Sequence, residues 1–393
     1  MRHFLICIIT LLLIGCGKVT ETPNPDNNID NITKPPAIEE PANPVDPVEQ
    51  PVDNSLFSDY KDEAINTLNT MSLEEKIGQM FLVRCPPSEQ LDLYLSMKPG
   101  GFIMFGRDFQ GKTKEQVMGD INYYQDNSKI PMIIGVDEEG GTVVRVSSNP
   151  LLTKERFKSP QELYALGGFE EIKRDTLIKS ELLLQLGINL NLAPVADISV
   201  SEADFIYQRS FGKNVEETAK YIKTVISAMK LSGISSTLKH FPGYGNNSDT
   251  HTGSAYDSRP YEQFLNNDFI PFKAGIEEGA ESILVSHNVI EAIDKNMPAS
   301  LSKNVIDILR KDLEFTGIIM TDDLTMGAIA ELDTELPPEV VAITAGNDML
   351  IVTDFENSFL TLLNAVNLGV ITTEQIDESV LRILQWKYYM NLL

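Results

Sequence analysis

Short, nearly continuous apolar runs recur along the chain. Eight are distinct: Gln79–Val83, Gly101–Phe105, Met132–Val136, Ile188–Leu192, Ser235–Leu238, Ser282–Val285, Gly317–Met320 and Asp348–Val352. Runs this short and this apolar suit parallel strands buried on both faces. Several of the intervals show a helical period instead. Ser72-Leu73-Glu74-Glu75 is a capping-box pattern that opens a helix. Ser159-Pro160 opens another, with proline at the first helical position. Asn214 is placed to cap a helix with Val215, Ala219, Ile222, Ile226 and Met229 on one face. A last helix spans Thr372 to Tyr389, with Ile376, Val380, Ile383 and Leu384 facing inward. Strands alternating with helices imply βαβ units joined by right-handed crossovers. Eight such units predict fold class α/β: a (β/α)8, TIM-type barrel forming a single folded domain. A doubly wound open sheet is the competing architecture. No Gly-x-Gly-x-x-Gly follows the first strand, which weakens a nucleotide-binding reading.

The N-terminal residues follow a different pattern. Met1-Arg2-His3 precedes an apolar stretch from Phe4 to Ile14, which reads as a secretory signal over residues 1–15. The stretch is too short to span a bilayer as a helix. It ends in Leu13-Ile14-Gly15-Cys16, which resembles the bacterial lipobox, where the cysteine is lipidated and becomes the new N-terminus. The competing reading is a simple signal with an incidental cysteine; the small Gly15 directly before Cys16 favours the lipoprotein. Residues 17–55 hold eight of the 21 prolines and eight acidic residues against two lysines. Such a segment stays extended and unpacked. The expected organisation is a leader over 1–15, a lipidated Cys16 with a tether over 16–55, and a barrel over 56–393. The expected location is the extracytoplasmic face of a bacterial membrane, reached through the lipid on Cys16.

Charge and cysteine content narrow the function classes. With 57 Asp+Glu against 32 Lys+Arg, the formal charge is -25. So acidic a chain repels a phosphate backbone, so nucleic acid is not an expected partner. Three cysteines in 393 residues make neither a disulfide framework nor a cysteine-based zinc site. After processing at Cys16, Cys85 is the only thiol.

In a (β/α)8 barrel the chemistry sits at the C-terminal ends of the strands. Here those ends carry reactive groups: Asp137-Glu138-Glu139 after the third run, Asp197 beyond the fourth, Lys239-His240 after the fifth, Ser286-His287 after the sixth, Asp322-Asp323 after the seventh and Asp354 after the eighth. Of four histidines, three fall on this face: His240, His251 and His287. The segment from Gly243 to Pro260 is long, rich in glycine and asparagine, and lacks an apolar period, as functional loops often do. It contains Asp249-Thr250-His251. Residues two apart in an extended segment point the same way, so the carboxylate can hold the imidazole. A solvated Asx turn is the alternative for that triplet. His240, Asp249, His251 and His287 also have the chemistry of zinc ligands. The His-x-His pattern of metal-dependent barrel hydrolases is absent after the first strand, and no metal is expected.

These residues also carry a family resemblance. Gly135-Val136-Asp137-Glu138-Glu139-Gly140-Gly141, with Arg145 after it, resembles the GVDQEGG…R signature of glycoside hydrolase family 3. Asn191-Leu192-Ala193-Pro194-Val195-Ala196-Asp197 resembles its N-x-APV-x-D strand. Arg209-Ser210-Phe211-Gly212 is similar to RSFG, and Lys239-His240-Phe241-Pro242-Gly243-Tyr244-Gly245 to KHFPGHG. Asp249-Thr250-His251 resembles the D-S-H signature of the β-N-acetylglucosaminidase branch. Thr321-Asp322-Asp323-Leu324-Thr325-Met326 resembles SDDLSM. The motifs run in order from about residue 60 to the end. Two departures stand out: Tyr244 replaces a histidine, and Thr250 and Thr321 replace serines.

The resemblance implies a retaining exo-β-N-acetylhexosaminidase that needs no cofactor. Asp322 would be the nucleophile, with Asp323 taking a local capping role. His251 would be the general acid and then the base, and Asp249 would orient it. Relatives with a second α/β domain often take the acid from there, so here the barrel is expected to supply its own. Asp137, Arg209, Lys239 and His240 would bind the carbohydrate, with Gly140 and Gly141 letting backbone approach the sugar. Asp197 and His287 are weaker candidates, standing behind these. Within the same family, a β-glucosidase or β-xylosidase and a glycoside phosphorylase are the alternatives. From another class, the alternative is a non-catalytic sugar-binding lipoprotein.

Overall fold

Eight strands, too short and too apolar to face water on either side, pair edge to edge into a ring. The computed structural model describes residues 53–250, 253–330 and 332–393. The expected leader, Cys16 and nearly all of the tether lie outside the described residues. The strands are β1 (Phe81–Arg84), β2 (Gly101–Met104), β3 (Ile133–Val136), β4 (Leu190–Asn191), β5 (Ser235–Phe241), β6 (Ser282–Val285), β7 (Ile318–Thr321) and β8 (Leu350–Val352). Successive strands pair in parallel, and β8 returns to pair with β1 in the register Phe81↔Leu350. A parallel bridge, Met320↔Met349, joins β7 to β8 and closes the ring. This is the (β/α)8 architecture expected from the alternating pattern.

The predicted helix starts are made by the predicted side chains. The Ser72 hydroxyl accepts from the Glu75 amide at 3.2 Å, and the Glu75 carboxylate accepts from the Ser72 amide at 3.0 Å. The Asn214 side chain caps Val215–Ser232, accepting from Glu217 at 2.9 Å. That helix is rotated slightly from the expected face: Tyr221 and Val225 join Ile222, Ile226 and Met229 in the core, while Val215 and Ala219 are half-buried. Ser159 opens Pro160–Gln185, which breaks at Gly167-Gly168. In Thr373–Tyr389, Ile376, Val380, Ile383 and Leu384 are fully buried, and the Trp386 indole donates to Ser235 Oγ at 3.0 Å.

Of the eight strands only β6 has the expected bounds; the other seven shift by one or more residues at an end, and three of these shifts are instructive. Gln79 ends the helix Leu73–Gln79 rather than starting β1. β4 shortens to two residues, losing Ile188 and Asn189 at its start and Leu192 at its end, and Val195 rejoins β5 by a bridge to Lys239. β5 runs on to Phe241, so Lys239 and His240 lie within the strand, where their side chains find buried partners. Part of the segment expected to lack regular structure, Tyr256–Asp257, pairs in parallel with Val289–Ile290 after β6.

Charged groups also pin the other end of the barrel. Buried Asp348, just before β8, accepts from Arg310 at 2.5 Å, Arg382 at 2.7 Å and the Ile319 amide at 2.9 Å. Burial alone would raise its carboxyl pKa, but the two guanidiniums hold it below the ordinary range. Lys387 is fully buried, and its amine donates to Gln79 Oε1 at 2.6 Å and to the Pro131 carbonyl at 2.7 Å. Both acceptors are neutral, and burial brings the Lys387 pKa down to about 7.

Lys387 gives the fold a readable pH dependence. An unfolded lysine titrates near 10.4, so between about pH 7 and that value the unfolded chain holds the extra proton. Stability should therefore rise with pH in this window, by at most about 1.4 kcal/mol per unit from this group. Urea unfolding midpoints at pH 7, 8 and 9 should show a smaller rise in Lys387→Met than in the parent. Equal slopes would contradict a depressed lysine.

Candidate active site

The loop after β3 sets one wall of the site. Glu138 is fully buried and acts as a clamp: its carboxylate accepts from the amides of Arg145 and Val146, both at 2.7 Å, and Ser147 at 3.1 Å. Its own amide donates to Asn191 Oδ1 at 3.0 Å, which ties the loop to β4. Gly140 and Gly141 have φ of 107° and 63°. A Cβ on Gly140 would collide with the Lys158 carbonyl, and one on Gly141 would lie 2.7 Å from Ser159 Cβ. The absence of a Cβ at both glycines lets the loop pack closely against residues 158–159.

Behind that loop lies a buried charge network. The Glu139 carboxylate receives Arg209 in a fork, Nε at 3.0 Å and Nη2 at 2.7 Å, and Lys239 Nζ at 2.7 Å. Lys239 also donates to Asp137 Oδ1 at 2.5 Å. Burial alone would raise the Glu139 pKa, but Arg209 and Lys239 overcome it and hold the group well below the usual carboxylate range. Burial likewise opposes the charge on Lys239; Asp137 and Glu139 outweigh it, and the lysine pKa rises. Arg145 approaches Asp137 Oδ2 at 4.0 Å.

His240 is held by Asp197. The imidazole Nδ1 lies 2.8 Å from Asp197 Oδ2, which also accepts the His240 amide at 3.0 Å. The Tyr244 amide donates to Asp197 Oδ1 at 2.7 Å. On the other ring nitrogen, Nε2 lies 3.0 Å from Arg209 Nη2. A guanidinium can only donate, so this network selects a neutral imidazole with its proton on Nδ1.

Opposite, the turn after β7 supplies Asp322. Its amide donates to the Val285 carbonyl at 3.0 Å, and its Oδ1 accepts from the Asp323 amide at 2.8 Å. Asp323 serves the turn: Oδ1 accepts from the Thr325 amide at 3.0 Å and hydroxyl at 2.8 Å, and Oδ2 from Thr353 at 2.9 Å. That matches the local role expected of Asp323, made as a turn contact rather than a helix cap.

A cavity of about 520 Å³ opens at the C-terminal ends of the strands. Asp137, Arg209, Lys239, His240, Asp249 and Asp322 all line it. His251 lies outside the described residues. Asp197 stands behind His240, as described. His287 is fully buried, 2.6 Å from Ser300 Oγ by Nδ1 and 3.0 Å from the Asp323 carbonyl by Nε2, so it braces the β7 turn. Asp354 caps the helix Phe355–Asn367. Among the described residues, no group of three or more His, Cys, Asp or Glu side chains is placed to hold a metal ion.

Sequence reading missed several of the lining residues. Arg84 closes β1 and stacks on Phe105, its Cζ 4.4 Å from the ring centroid. Phe205, Thr325 and Met326 complete the wall. A charge at the end of an otherwise apolar strand was the available signal for Arg84. Glu139 was visible only as part of a motif; nothing in its spacing told it from Glu138, yet one clamps backbone and the other neutralises two cations. The resulting site combines fixed carboxylates and fixed cationic donors with apolar Phe105, Leu192 and Met326. Such a lining can take a polyhydroxylated ligand, pairing hydroxyls with charged donors and acceptors and the ligand's C–H faces with the apolar side chains.

Comparison with known proteins points to one family. A model of the glycosyl hydrolase family 3 N-terminal domain matches residues 72–386. The beta-hexosaminidase of Actinobacillus pleuropneumoniae serotype 5b is 30% identical over 286 residues, covering 71% of this chain and 81% of that protein. The beta-hexosaminidase of Glaesserella parasuis serovar 5 is 32% identical over 267 residues, covering 67% of this chain and 76% of that one. Among solved structures, a glycoside hydrolase family 3 beta-N-acetylglucosaminidase from a Paenibacillus species superposes with a TM-score of 0.76 at 28% identity. That match covers 82% of this chain but 63% of the solved one.

The charge network yields a stability prediction. Glu139→Gln leaves Arg209 and Lys239 buried with less neutralising charge, and breaking such a buried pair typically costs about 3–5 kcal/mol. The denaturant midpoint should fall accordingly at pH 7. Because the folded-state pKa of Glu139 is depressed, its contribution is present above the unfolded glutamate value of about 4.3 and is lost as pH falls below it. The gap between variant and parent should therefore narrow in acid. A neutral substitution at pH 7 would show that the network is not needed.

Proposed function

The chain belongs to glycosyl hydrolase family 3, and from that premise we propose that it is a retaining, exo-acting β-N-acetylhexosaminidase. Its substrates would be N-acetylglucosamine-containing oligosaccharides from cell wall or chitin, cleaved without a cofactor. The observation that carries this reading is the lining of a single cavity by Asp322 and Asp249 together with Asp137, Arg209, Lys239 and His240. The names of the two hexosaminidase relatives and the Asp249-Thr250-His251 signature support the N-acetyl sugar.

In the first step, an Asp322 carboxylate oxygen attacks the anomeric carbon as its bond to the leaving oxygen breaks. His251 donates its proton to that oxygen. In the second step, neutral His251 takes a proton from water. The water oxygen bonds to the anomeric carbon, the glycosyl ester breaks, and the Asp322 carboxylate returns. Asp249 orients the imidazole and favours its protonated form. Asp137 accepts from sugar hydroxyls, while Arg209 and Lys239 donate to hydroxyls and the N-acetyl oxygen. His240 belongs to the same binding set; in the neutral form that Asp197 and Arg209 select, it adds no charge beside the reacting centre.

We further propose export and anchoring through lipid on Cys16, with residues 16–55 as the tether. The support is the apolar leader ending in Gly15-Cys16 and the proline-rich acidic segment behind it.

Two experiments test these readings. An aryl N-acetyl-β-glucosaminide should be turned over and the matching aryl β-glucoside poorly. Asp322→Ala should lose about 10⁴-fold or more in kcat. Better turnover of the glucoside would sink the specificity, sugar-1-phosphate formed in added phosphate would reassign the reaction to phosphorolysis, and a fully active Asp322→Ala would end the nucleophile assignment. Separately, the full-length chain in a bacterial host should partition with membranes and take up labelled palmitate, and Cys16→Ser should do neither. Unchanged labelling of the serine variant would refute the anchor.

A further inference from the structure

Tyr244, the departure from the family signature, reaches the loop that carries Asp249. Its ring is 1% exposed, packed with Val195 and Ile206. It lies edge-on to His240 at 5.2 Å and 82°, and to Phe205 at 5.7 Å. Its amide is fixed by Asp197 at 2.7 Å. From that anchored base the phenol oxygen lies 2.6 Å from Thr250 Oγ1, and the Thr250 side chain is fully buried. Thr250 is also held by its backbone, its carbonyl accepting from the Ala328 amide at 3.2 Å. This residue thus closes the 244–250 turn onto Tyr244, whose amide is held by Asp197, and ties the turn through Ala328 to the segment following Asp322-Asp323.

The consequence falls on its neighbour. Thr250 points inward to Tyr244, and Asp249 lines the cavity. Removing either hydroxyl would leave the other buried without its partner. The histidine of the family signature is shorter than a phenol and would not span the same gap in this loop pose. Tyr244 is not among the residues lining the cavity.

We propose that the Tyr244–Thr250 hydroxyl pair is a positioning latch that sets the orientation of Asp249 and, through it, of the acid–base group in this chain. This rests on the assignment of His251 as the acid. Tyr244 and Thr250 are positioning residues, acting on the proton transfer and not on the sugar.

The test reads kcat/KM, which reports the glycosylation step, on two aryl N-acetyl-β-glucosaminides. One has a poor leaving group that needs protonation; the other, a dinitrophenolate, leaves without it. Tyr244→Phe should lose about 10- to 100-fold on the first, the scale expected of a misplaced catalytic group, and change little on the second. Thr250→Val should show the same contrast. The double variant should be no worse than the more severe single, because both break one contact. Thr250→Ser, which keeps the hydroxyl, should recover most of the lost rate. Equal losses on both substrates, additive losses, or full activity in Tyr244→Phe would overturn the latch. If Tyr244→Phe does not melt cooperatively, Thr250→Val supplies the same contrast, and equal losses in it overturn the latch just as well. His251→Ala separates the two levels of the argument. A leaving-group-dependent His251→Ala beside a uniform Tyr244→Phe would overturn the latch alone. A uniform His251→Ala would overturn the acid assignment and the latch with it.

Discussion

Glu139 lies buried with two cations on it, and the mouth of the barrel is organised around that neutralisation. Without Glu139, Arg209 and Lys239 would be charges taken out of water with one carboxylate, Asp137, left to face Lys239. With it, both are held in fixed positions, each with atoms on the cavity wall. Ionic groups this deep add little net stability compared with an apolar core, because their desolvation offsets much of their attraction. Their effect is geometric: donors and acceptors are already oriented before a ligand arrives, and little reorganisation remains for the bound state.

The barrel makes this possible because its strands are short. Four apolar residues suffice to bury a parallel strand on both faces, and the chain then leaves the core as a loop at the same end of the molecule each time. β3 hands over to the Asp137–Glu139 loop, β7 to the Asp322 turn, and β5 carries its lysine and histidine directly into the mouth. Each of these segments is pinned by a dedicated buried group. Glu138 collects three backbone amides, Asp197 holds the His240 ring and the Tyr244 amide, and His287 supports the Asp323 carbonyl. The carboxylates and histidines at the strand ends therefore divide into two populations. Some line the cavity, and others hold the ones that do.

That division explains what could be read in advance. The apolar runs, the capping side chains and the inward face of the last helix follow from local chemistry, and the observed elements use the residues expected. The gathering of polar groups at one end follows from the βαβ topology. Boundaries slipped where a non-local partner decided them. Lys239 and His240 extend β5 because Glu139, Asp137 and Asp197 wait for them across the barrel, and no local window contains those residues. Gln79 ends a helix instead of starting β1, and its side-chain oxygen accepts from Lys387, 308 positions away in the chain.

The alternating pattern of the sequence alone determined a parallel α/β barrel and which end of it would carry the chemistry, because burial periodicity and the direction of strand-to-helix connections are local properties. The motif residues that would meet there could also be named. Only the tertiary structure decided which of Glu138 and Glu139 clamps backbone and which neutralises cations, that Arg84 and Phe105 share the cavity wall, and that Tyr244 grips Thr250. Those outcomes depend on distances between groups that local sequence does not fix, many of them far apart along the chain, and on which charges lose their water together. Neither quantity exists until the ring has closed.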